Sequence, residues 1–353
     1  TVAASPGRAE IFFIFQEFVM SADLTPAISR FPVPELDALL VIFIPPLVTP
    51  SVEVANVIGE VIRQRAPQTK PILAVFLDPN AQLTAIPAGP RKIPVYNFPE
   101  SAIYALGAAA RYGSWRALPA GTLVKPAWDR QLIDDFIGQC GSGWLAASEV
   151  STLLGLAGIH ALSSVIVRSP LEAVAAARQF ERPVSLKIAE PYTLHKSDVG
   201  GVILNLSLEE VSDGYMRLQG NLAAHGIKLQ AASVMPMAQP GVEVLAGITT
   251  DPVFGPLVAV GSGGVMVELV NDVVFRVLPL TDQDAQTMIQ ETRVVRLLRG
   301  YRGAPPADLP ALEHLLLQLG ALAEAVPRLA EIDLNPVIVH KQGEGLSIID
   351  ARV

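Results

Sequence analysis

Two adjacent segments carry side chains suited to binding and transferring a phosphoryl group. In the apolar run 183–189, strand alternation places Ser185 and Lys187 on one face. Because a lysine in an apolar strand needs an anion or water on its side of the sheet, Lys187 is a candidate phosphate ligand. The alternative is a solvated lysine on an edge strand.

The next segment, 192–201, contains His195 among polar residues and ends in two glycines. An imidazole can act as an acid, a base or a phosphoryl acceptor, and glycines let the backbone approach a ligand closely. His195 is therefore a candidate catalytic residue. An ordinary polar hairpin loop is the alternative interpretation of the same residues.

A glycine-rich segment, 258–268, joins two predicted apolar strands and includes Gly261, Gly263 and Gly264. Such a turn can direct several backbone N–H groups at a phosphate. No helix is predicted after it, so it matches neither a Walker loop nor a dinucleotide-binding fingerprint. A tight hairpin without a ligand is the alternative.

Near the end of the sequence, strand alternation places Glu331, Asp333 and Asn335 on one face and apolar residues on the other. A hairpin turn in the following segment brings Asp350 opposite residues 336–337, next to Asn335. Converging oxygen ligands of this kind suit Mg²⁺, which binds a few protein oxygens together with water and phosphate. A solvated polar strand face is the alternative.

The composition limits the classes of protein to which the chain can belong. It has 353 residues, half of them hydrophobic, which predicts a globular protein of two or three domains. With 26 Lys and Arg against 34 Asp and Glu, the net charge of −8 argues against a nucleic-acid partner. The chain has a single cysteine and therefore cannot form an intrachain disulfide, which suits a reducing compartment. No apolar run approaches the ~20 residues of a membrane span, and the start of the sequence does not resemble a leader. These features predict a cytoplasmic protein without a membrane partner.

Strand and helix patterns alternate in the first third of the chain, which predicts an α/β domain with a parallel sheet over residues 1–116. Residues 117–146 are rich in glycine and proline and are interpreted as a linker. Residues 147–353 form the predicted second domain, of the α+β class. The elements expected in the first domain are strands at 37–44, 70–77 and 93–96 and helices at 51–65 and 100–112.

Helix-start patterns organise the second domain. A helix-start pattern begins at each of Ser169, Ser207 and Thr281. A further helix is expected after Ser148, and Gly158 can end it in the left-handed conformation. The strands expected there are 184–189, 200–206, 229–235, 242–249, 256–260, 264–269, 273–278, 329–339 and 346–351.

Five motifs in order resemble the ATP-grasp half of the NDP-forming acyl-CoA synthetases, relatives of succinyl-CoA synthetase. They are LKIAEPYTLHKSDVGGV, GVEVLAGITTDPVFGP, GSGGVMVEL, RLLRGYRG and EIDLNPVIV. The first third resembles the flavodoxin-like ligase-CoA domain of fused members, through DALLVIFIPPLVTP, KIPVYNFPE and ARYGSW. The resemblance covers residues 35–353 and implies a small flavodoxin-like domain followed by an ATP-grasp domain of two subdomains.

The resemblance implies an enzyme that reversibly makes acyl-CoA from a carboxylic acid, CoA and ATP, with release of ADP and phosphate. His195 matches the second phosphohistidine of the ADP-forming branch, and Glu331 matches the acidic residue that positions it. Lys187 matches the lysine that binds the ATP phosphates. Asn335 and Asp350 match the Mg²⁺ ligands.

The nucleotide pocket of the family matches Glu243 and the segment that contains Val234 and Met235. The amides of Gly261, Gly263 and Gly264 are expected to stabilise charge on the transferring group. The expected cofactors are Mg²⁺, ATP/ADP and, through a partner, CoA. His195 accepts a phosphoryl group only as the neutral imidazole.

One departure from the family pattern affects the expected activity. The sequence has no glycine-rich CoA loop, and no histidine precedes His160. We therefore expect a CoA-binding partner subunit, or a missing N-terminal half, that carries the other phosphohistidine, and no acyl-CoA synthesis by this chain alone. A small carboxylic acid is the expected substrate, and the apolar surface bias predicts an oligomer.

Two alternative functions stay open from the sequence. One is a non-catalytic module that senses ATP or acyl-CoA, although such a module has no need of a histidine beside a metal site. The other is an ATP-grasp ligase that works through an acyl phosphate, which would not require His195.

Overall fold

The computed structural model describes six ranges of the chain, which fall into two compact units. One unit ends at Leu118, and the other runs from Pro119 to Val353. The described ranges are 38–44, 50–65, 70–78, 82–189, 199–264 and 272–353. His195, most of the predicted strand 264–269 and residues 1–34 lie outside them.

The first unit is built on one sheet. Its strands are β1 (Leu39–Phe43), β2 (Ile72–Phe76), β3 (Ala85–Ala88) and β4 (Arg91–Tyr96), and its helices are α1 (Ser51–Arg65) and α2 (Pro99–Ala117). The strand order is β1-β2-β4-β3, with β1, β2 and β4 parallel and β3 antiparallel to β4. The predicted α/β fold with a parallel sheet is confirmed. The sequence did not predict β3, a four-residue strand interrupted by Pro87.

The second unit contains seven helices and ten strands in its described part. The helices are α3 (Arg130–Gln139), α4 (Ala147–Leu156), α5 (Pro170–Ala177), α6 (Val211–Ala224), α7 (Asp282–Glu291), α8 (Val295–Leu298) and α9 (Leu309–Ala325). The strands are β5 (Val165–Val167), β6 (Val184–Ile188), β7 (Val202–Leu206), β8 (Ala232–Pro236), β9 (Val242–Asp251), β10 (Gly255–Ser262), β11 (Val273–Val277), β12 (Ile332–Val339), β13 (Leu346–Ile348) and β14 (Ala351–Arg352).

These strands form two antiparallel sheets, each with its own core. The smaller sheet has the order β5-β8-β6-β7 and packs against α5 and α6. The larger has the order β11-β10-β9-β12-β13, with β14 also paired to β12, and its core includes α4, α7 and α9. Two sheets with separate cores confirm the predicted α+β domain of two subdomains.

The predicted helix starts at Ser169 and Thr281 are confirmed by their hydrogen bonds. Each hydroxyl accepts the backbone N–H three residues on, from Glu172 and from Asp284, at 3.2 Å in both cases. Satisfying an otherwise unpaired N–H of the first turn stabilises a helix by ~1 kcal/mol. The pattern at Ser207 leads into α6 through one 3₁₀ turn.

Two helices differ from the sequence interpretation. Within the predicted linker, α3 begins after Asp129, whose carboxylate accepts the Gln131 N–H at 2.8 Å, and buries Ile133 completely. The glycines that suggested a linker cluster at the end of this helix and beyond it. The other, α4, starts at Ala147 rather than after Ser148, because the Glu149 carboxylate accepts the Ala146 N–H at 2.7 Å.

A third difference is α9, which the sequence analysis did not predict. Seven of its residues are buried, at the three- and four-residue spacing of one helix face. The rest of the helix also carries apolar residues, including Leu317, Ala321 and Ala325, so the contrast between polar and apolar faces that marks a surface helix is weak. The helix crosses the larger sheet and contributes four fully buried leucines to the core, namely Leu312, Leu316, Leu319 and Leu322.

None of the helices in the described part of the chain combines the length and the apolar character that crossing a membrane requires.

We predict that Gly247→Ala destabilises the second unit. Gly247 lies in the middle of β9 opposite Asp333, and a Cβ there would lie 2.3 Å from the Ile332 carbonyl oxygen. The two strands would have to separate, and overpacking of this kind costs ~1–3 kcal/mol. Urea unfolding of the full chain measures the loss.

The matched control is Gly220→Ala in α6, where a Cβ meets nothing within 4 Å. Alanine has a higher helix propensity than glycine by ~1 kcal/mol, so this variant should be at least as stable as the wild type. Equal unfolding midpoints for the two variants would contradict the steric argument.

Candidate functional site

Three of the predicted site residues, Lys187, Met235 and Asp350, line a cavity of about 240 Å³ in the second unit. Residues 187–189 of the smaller sheet, with Ser233 and Met235, form one wall. Residues 348–352, which return along β12, form the opposite wall. The segment that leads into α4 contributes Trp144 and Leu145.

Lys187 belongs to an interior strand. Its strand β6 lies between β8 and β7, and the residue is only 8% exposed. The Nζ atom donates a hydrogen bond to the Ile349 carbonyl oxygen at 3.1 Å. The alternative of a solvated lysine on an edge strand is therefore wrong. The lysine crosses from the smaller sheet to the chain segment that carries Asp350.

The two predicted nucleotide residues of β8 point in opposite directions. Met235 lines the cavity, whereas Val234 pairs with Leu186 and is fully buried in the core against α5 and α6. Because side chains alternate along a strand, only one of two adjacent residues can face the cavity. The side chain of Val234 therefore belongs to the core.

Four predicted residues contact one another at the glycine-rich segment. The Gly264 N–H donates to Asn335 Oδ1 at 3.1 Å, and the Gly263 N–H donates to the Glu243 carbonyl oxygen at 3.1 Å. Gly264 has φ +63°, and a Cβ there would lie 2.2 Å from Glu243 Oε2. Both N–H groups thus donate to acceptors within the protein. Residues 263–264 therefore do not form the expected set of amides directed at a phosphate.

Gly261 has a different structural role from Gly264. A Cβ on Gly261 would lie 2.1 Å from the carbonyl oxygen of Asp272, which flanks the paired strand β11. Glycine is required here for the close approach of two backbones. The segment therefore positions Asn335 and Glu243 instead of wrapping a ligand with its own N–H groups.

Asn335 and Asp350 are adjacent across the last hairpin. The Asn335 N–H donates to the Asp350 carbonyl oxygen at 3.1 Å. The sequence analysis placed Asp350 opposite residues 336–337, one or two positions further along. A single register runs through the pairs of β12 with β13 and β14, from Val339–Leu346 to Asp333–Arg352, and this register places Asp350 opposite Asn335.

A cluster of charges surrounds this pair. Burial raises the pKa of Asp333, Arg352 opposes that shift, and the carboxylates of Asp350 and Glu331 add to it. Arg352 lies opposite Asp333 in the strand register and lines the cavity. The sequence places Asp333 on the same strand face as Asn335 but assigns it no role, and Arg352 is not among the predicted site residues. The two-residue spacing from Asp350 was the available signal for Arg352, since alternate residues of a strand share a face.

Glu331 lies away from the first cavity. It is exposed and lines a second cavity of about 580 Å³ with Trp144, Arg328 and Cys140. Trp144 lines both cavities, so they are neighbours. His195, which Glu331 is expected to position, lies outside the described residues.

The oxygen donors near Asp350 fit a metal ion that is also bound by a substrate phosphate better than one held by the protein alone. Across the described ranges, no three or more His, Cys, Asp or Glu side chains are grouped as metal ligands. Asn335 and Asp350 offer only two side-chain oxygen donors of the expected kind. Mg²⁺ commonly binds to one or two protein groups and completes its octahedron with water and substrate phosphates. With the ammonium of Lys187 opposite, the site can hold a polyphosphate with its metal.

Comparisons with known proteins agree with this geometry. A family profile described as the ATP-grasp domain matches residues 137–353. The beta subunit of ADP-forming acetate–CoA ligase II from Pyrococcus furiosus is 34% identical over 227 residues, which are 63% of this chain and 96% of that protein. The ADP-forming 4-hydroxybutyrate–CoA ligase from Nitrosopumilus maritimus is 33% identical over 267 residues. That match covers 74% of this chain but only 38% of the relative.

Solved structures give the same result. Dinucleotide-forming acetyl-coenzyme A synthetase 1 from Ca. Korarchaeum cryptofilum, in complex with coenzyme A and Ca-AMPCP, matches with 39% identity and a TM-score of 0.57. The match covers 63% of this chain and 97% of the other. A complex of the same enzyme with coenzyme A and Mg-AMPPCP has its phosphohistidine segment pointing towards the nucleotide binding site, with 38% identity and a TM-score of 0.53.

The ATP-grasp profile does not reach the first unit, whose assignment as a ligase-CoA domain stays a prediction. It does cover more than half of the chain, and the chain in turn spans almost the whole of the Pyrococcus furiosus beta subunit. The chain belongs to the ATP-grasp family, in the branch of the ADP-forming acyl-CoA synthetases.

Proposed function

We propose that the chain is the nucleotide-binding part of an ADP-forming acyl-CoA synthetase. The full enzyme would convert a carboxylic acid, CoA and ATP to acyl-CoA, ADP and phosphate. One observation carries the proposal: Lys187 and Asp350 line one cavity, the Asn335 N–H donates to the Asp350 carbonyl oxygen, and the Gly264 N–H donates to Asn335 Oδ1. The relatives named as ADP-forming ligases supply the reaction.

The residues have distinct proposed roles in nucleotide binding. Lys187 places a point charge on the phosphates, and its burial strengthens that attraction. Asn335 and Asp350 hold Mg²⁺, which when bound neutralises charge on the phosphates. Met235 lies against the base, and Glu243 and Gly264 fix the position of Asn335.

His195 is the proposed phosphoryl acceptor. A lone pair of its neutral imidazole attacks the γ-phosphorus, an N–P bond forms, and the bond to the bridging oxygen breaks as ADP leaves with the electron pair. Glu331 is proposed to orient the imidazole from the neighbouring cavity. The relative whose phosphohistidine segment points towards its nucleotide site supports this step.

The remaining half-reaction is assigned to a partner. Relatives of matching length are named beta subunits, which implies a second subunit in those enzymes. We propose that the partner of this chain, or a domain in the same protein, binds CoA and the carboxylic acid and carries the other phosphohistidine. Acyl-CoA should therefore form only when this part is supplied.

The first prediction concerns the phosphoryl carrier. With γ-labelled ATP and Mg²⁺, the wild-type chain should acquire an acid-labile, base-stable label, because phosphoramidate bonds hydrolyse in acid. His195→Ala should abolish the label. The control is His160→Ala, which removes an exposed histidine of the same unit and should leave labelling intact.

Label that persists in His195→Ala would contradict the relay. Nucleotide binding without any label, in the presence of the partner, would favour a sensing module or an acyl-phosphate mechanism instead.

The second prediction concerns the buried lysine. Lys187→Met should weaken Mg-ATP binding by roughly ten- to hundredfold, because a hydrogen bond to a charged group contributes about 1.5–3 kcal/mol. Isothermal titration calorimetry measures the dissociation constant. Lys228→Met is the matched control, since Lys228 is exposed, and its affinity should equal that of the wild type. Unchanged affinity in Lys187→Met would remove the lysine from the site.

A further inference from the structure

Asp272 is a buried carboxylate that the proposed reaction does not use. It immediately precedes β11, the strand that pairs with β10, and is 6% exposed. Buried carboxylates are costly unless their oxygens are hydrogen-bonded. Its hydrogen bonds therefore indicate what the residue holds in place.

The carboxylate of Asp272 accepts three hydrogen bonds from two separate parts of the chain. Oδ1 accepts the Arg293 N–H at 2.7 Å, and Oδ2 accepts the Val294 N–H at 3.0 Å and the Ser262 hydroxyl at 2.7 Å. The backbone of Asp272 also accepts the Ser262 N–H, at 3.0 Å. Ser262 and Asp272 thus close the base of the hairpin that carries Gly263 and Gly264.

The turn at 293–294, which donates two of these hydrogen bonds, is held in place by core packing. Val294, Val295 and Leu298 are buried in the core of the larger sheet and fix the turn at 293–294. Asp272 therefore ties the base of the glycine-rich hairpin to the core. Gly261 permits the contact, because any side chain there would collide with the Asp272 backbone.

The hydrogen bonds of Asp272 to Ser262 and to residues 293–294 determine where the site residues lie. Two residues beyond Ser262, the Gly264 N–H donates to Asn335 Oδ1, and between them the Gly263 N–H donates to the backbone of Glu243. A shift of the hairpin base would move Gly264 relative to Asn335. We propose that Asp272 is a positioning residue for nucleotide binding, which holds the glycine turn against Asn335 so that the side-chain oxygen stays aimed at the metal–phosphate site.

Ionisation of Asp272 is consistent with this role. Burial by itself raises the pKa of the carboxyl, but the hydrogen bonds from Arg293, Ser262 and Val294, with the charge of Arg293, outweigh burial and leave the pKa below its ordinary value. The group stays a carboxylate at neutral pH and accepts all three bonds. An asparagine has only one acceptor oxygen, so its NH₂ group would face at least one donor.

The test compares Asp272→Asn with Asp308→Asn. Asp308 is a close structural match: it is 7% exposed and accepts three hydrogen bonds, from the N–H groups of Ala311, Gly343 and Gly345. It holds the turn at the other end of the β12–β13 hairpin, away from Asn335. Both variants lose comparable buried hydrogen bonds, but only Asp272 is expected to act on the site.

Two measurements on the full chain are required. Hydrogen–deuterium exchange without nucleotide should accelerate at residues 259–264 in Asp272→Asn, and at residues 341–345 in Asp308→Asn. The Mg-ATP dissociation constant should rise about tenfold or more in Asp272→Asn and stay within about twofold of wild type in Asp308→Asn, as the loss of a buried hydrogen bond implies. Ser262→Ala removes one of the three hydrogen bonds and should give an intermediate effect on both measurements. This variant replaces Asp272→Asn in the test if Asp272→Asn does not fold.

Three outcomes would overturn the proposal. They are unchanged exchange at 259–264 in both Asp272→Asn and Ser262→Ala, unchanged nucleotide affinity despite faster exchange there, and equal loss of affinity in Asp308→Asn. The inference rests on the proposed function, but the two can fail separately. A wild-type chain that binds no Mg-ATP would contradict the proposed function, while the exchange comparison would still decide whether Asp272 holds the turn.

Discussion

The hydrogen bond from Lys187 Nζ to the Ile349 carbonyl oxygen is the interaction on which the site depends. An ammonium group in the interior strand of a sheet loses much of its hydration, so negative charge or acceptor oxygens must face it. The chain provides them from the opposite subdomain, at Ile349 and the neighbouring Asp350. The oxygens of a phosphate group would satisfy the same requirement. Lys187, the proposed phosphate ligand, thus also joins the two walls of the cavity.

The strands that form the walls serve the core and the site at once. On β8, Val234 is buried under the helices while Met235 lines the cavity, and on β12, Leu334 is buried while the side chain of Asn335 accepts the Gly264 N–H. Because neighbours on a strand face opposite sides, the packing of one residue fixes the direction of the next. A change in the core of either strand should therefore alter the geometry of the nucleotide site.

Glycines allow close contacts within the larger sheet. A Cβ on Gly261 would collide with the backbone of Asp272, and Gly264 has φ +63° and lies against the side chain of Glu243. The N–H groups of Gly263 and Gly264 donate to protein oxygens, the Glu243 carbonyl and Asn335 Oδ1. The glycine-rich segment therefore holds Asn335, a proposed metal ligand, through its own N–H groups.

The sequence alone determined the class of each domain, the helix starts at Ser169 and Thr281, and the identity of Lys187, Asn335 and Asp350 as candidates, because capping and strand alternation are local. It could not find α9, whose polar face also carries many apolar residues, or α3, which lies among glycines and prolines. The tertiary structure decided that Lys187 is interior and that Asp350 pairs with Asn335. It also decided that Asp272 and Arg352 belong to the surroundings of the site. These features depend on strand order, register and contacts between residues distant in sequence, which no local pattern encodes.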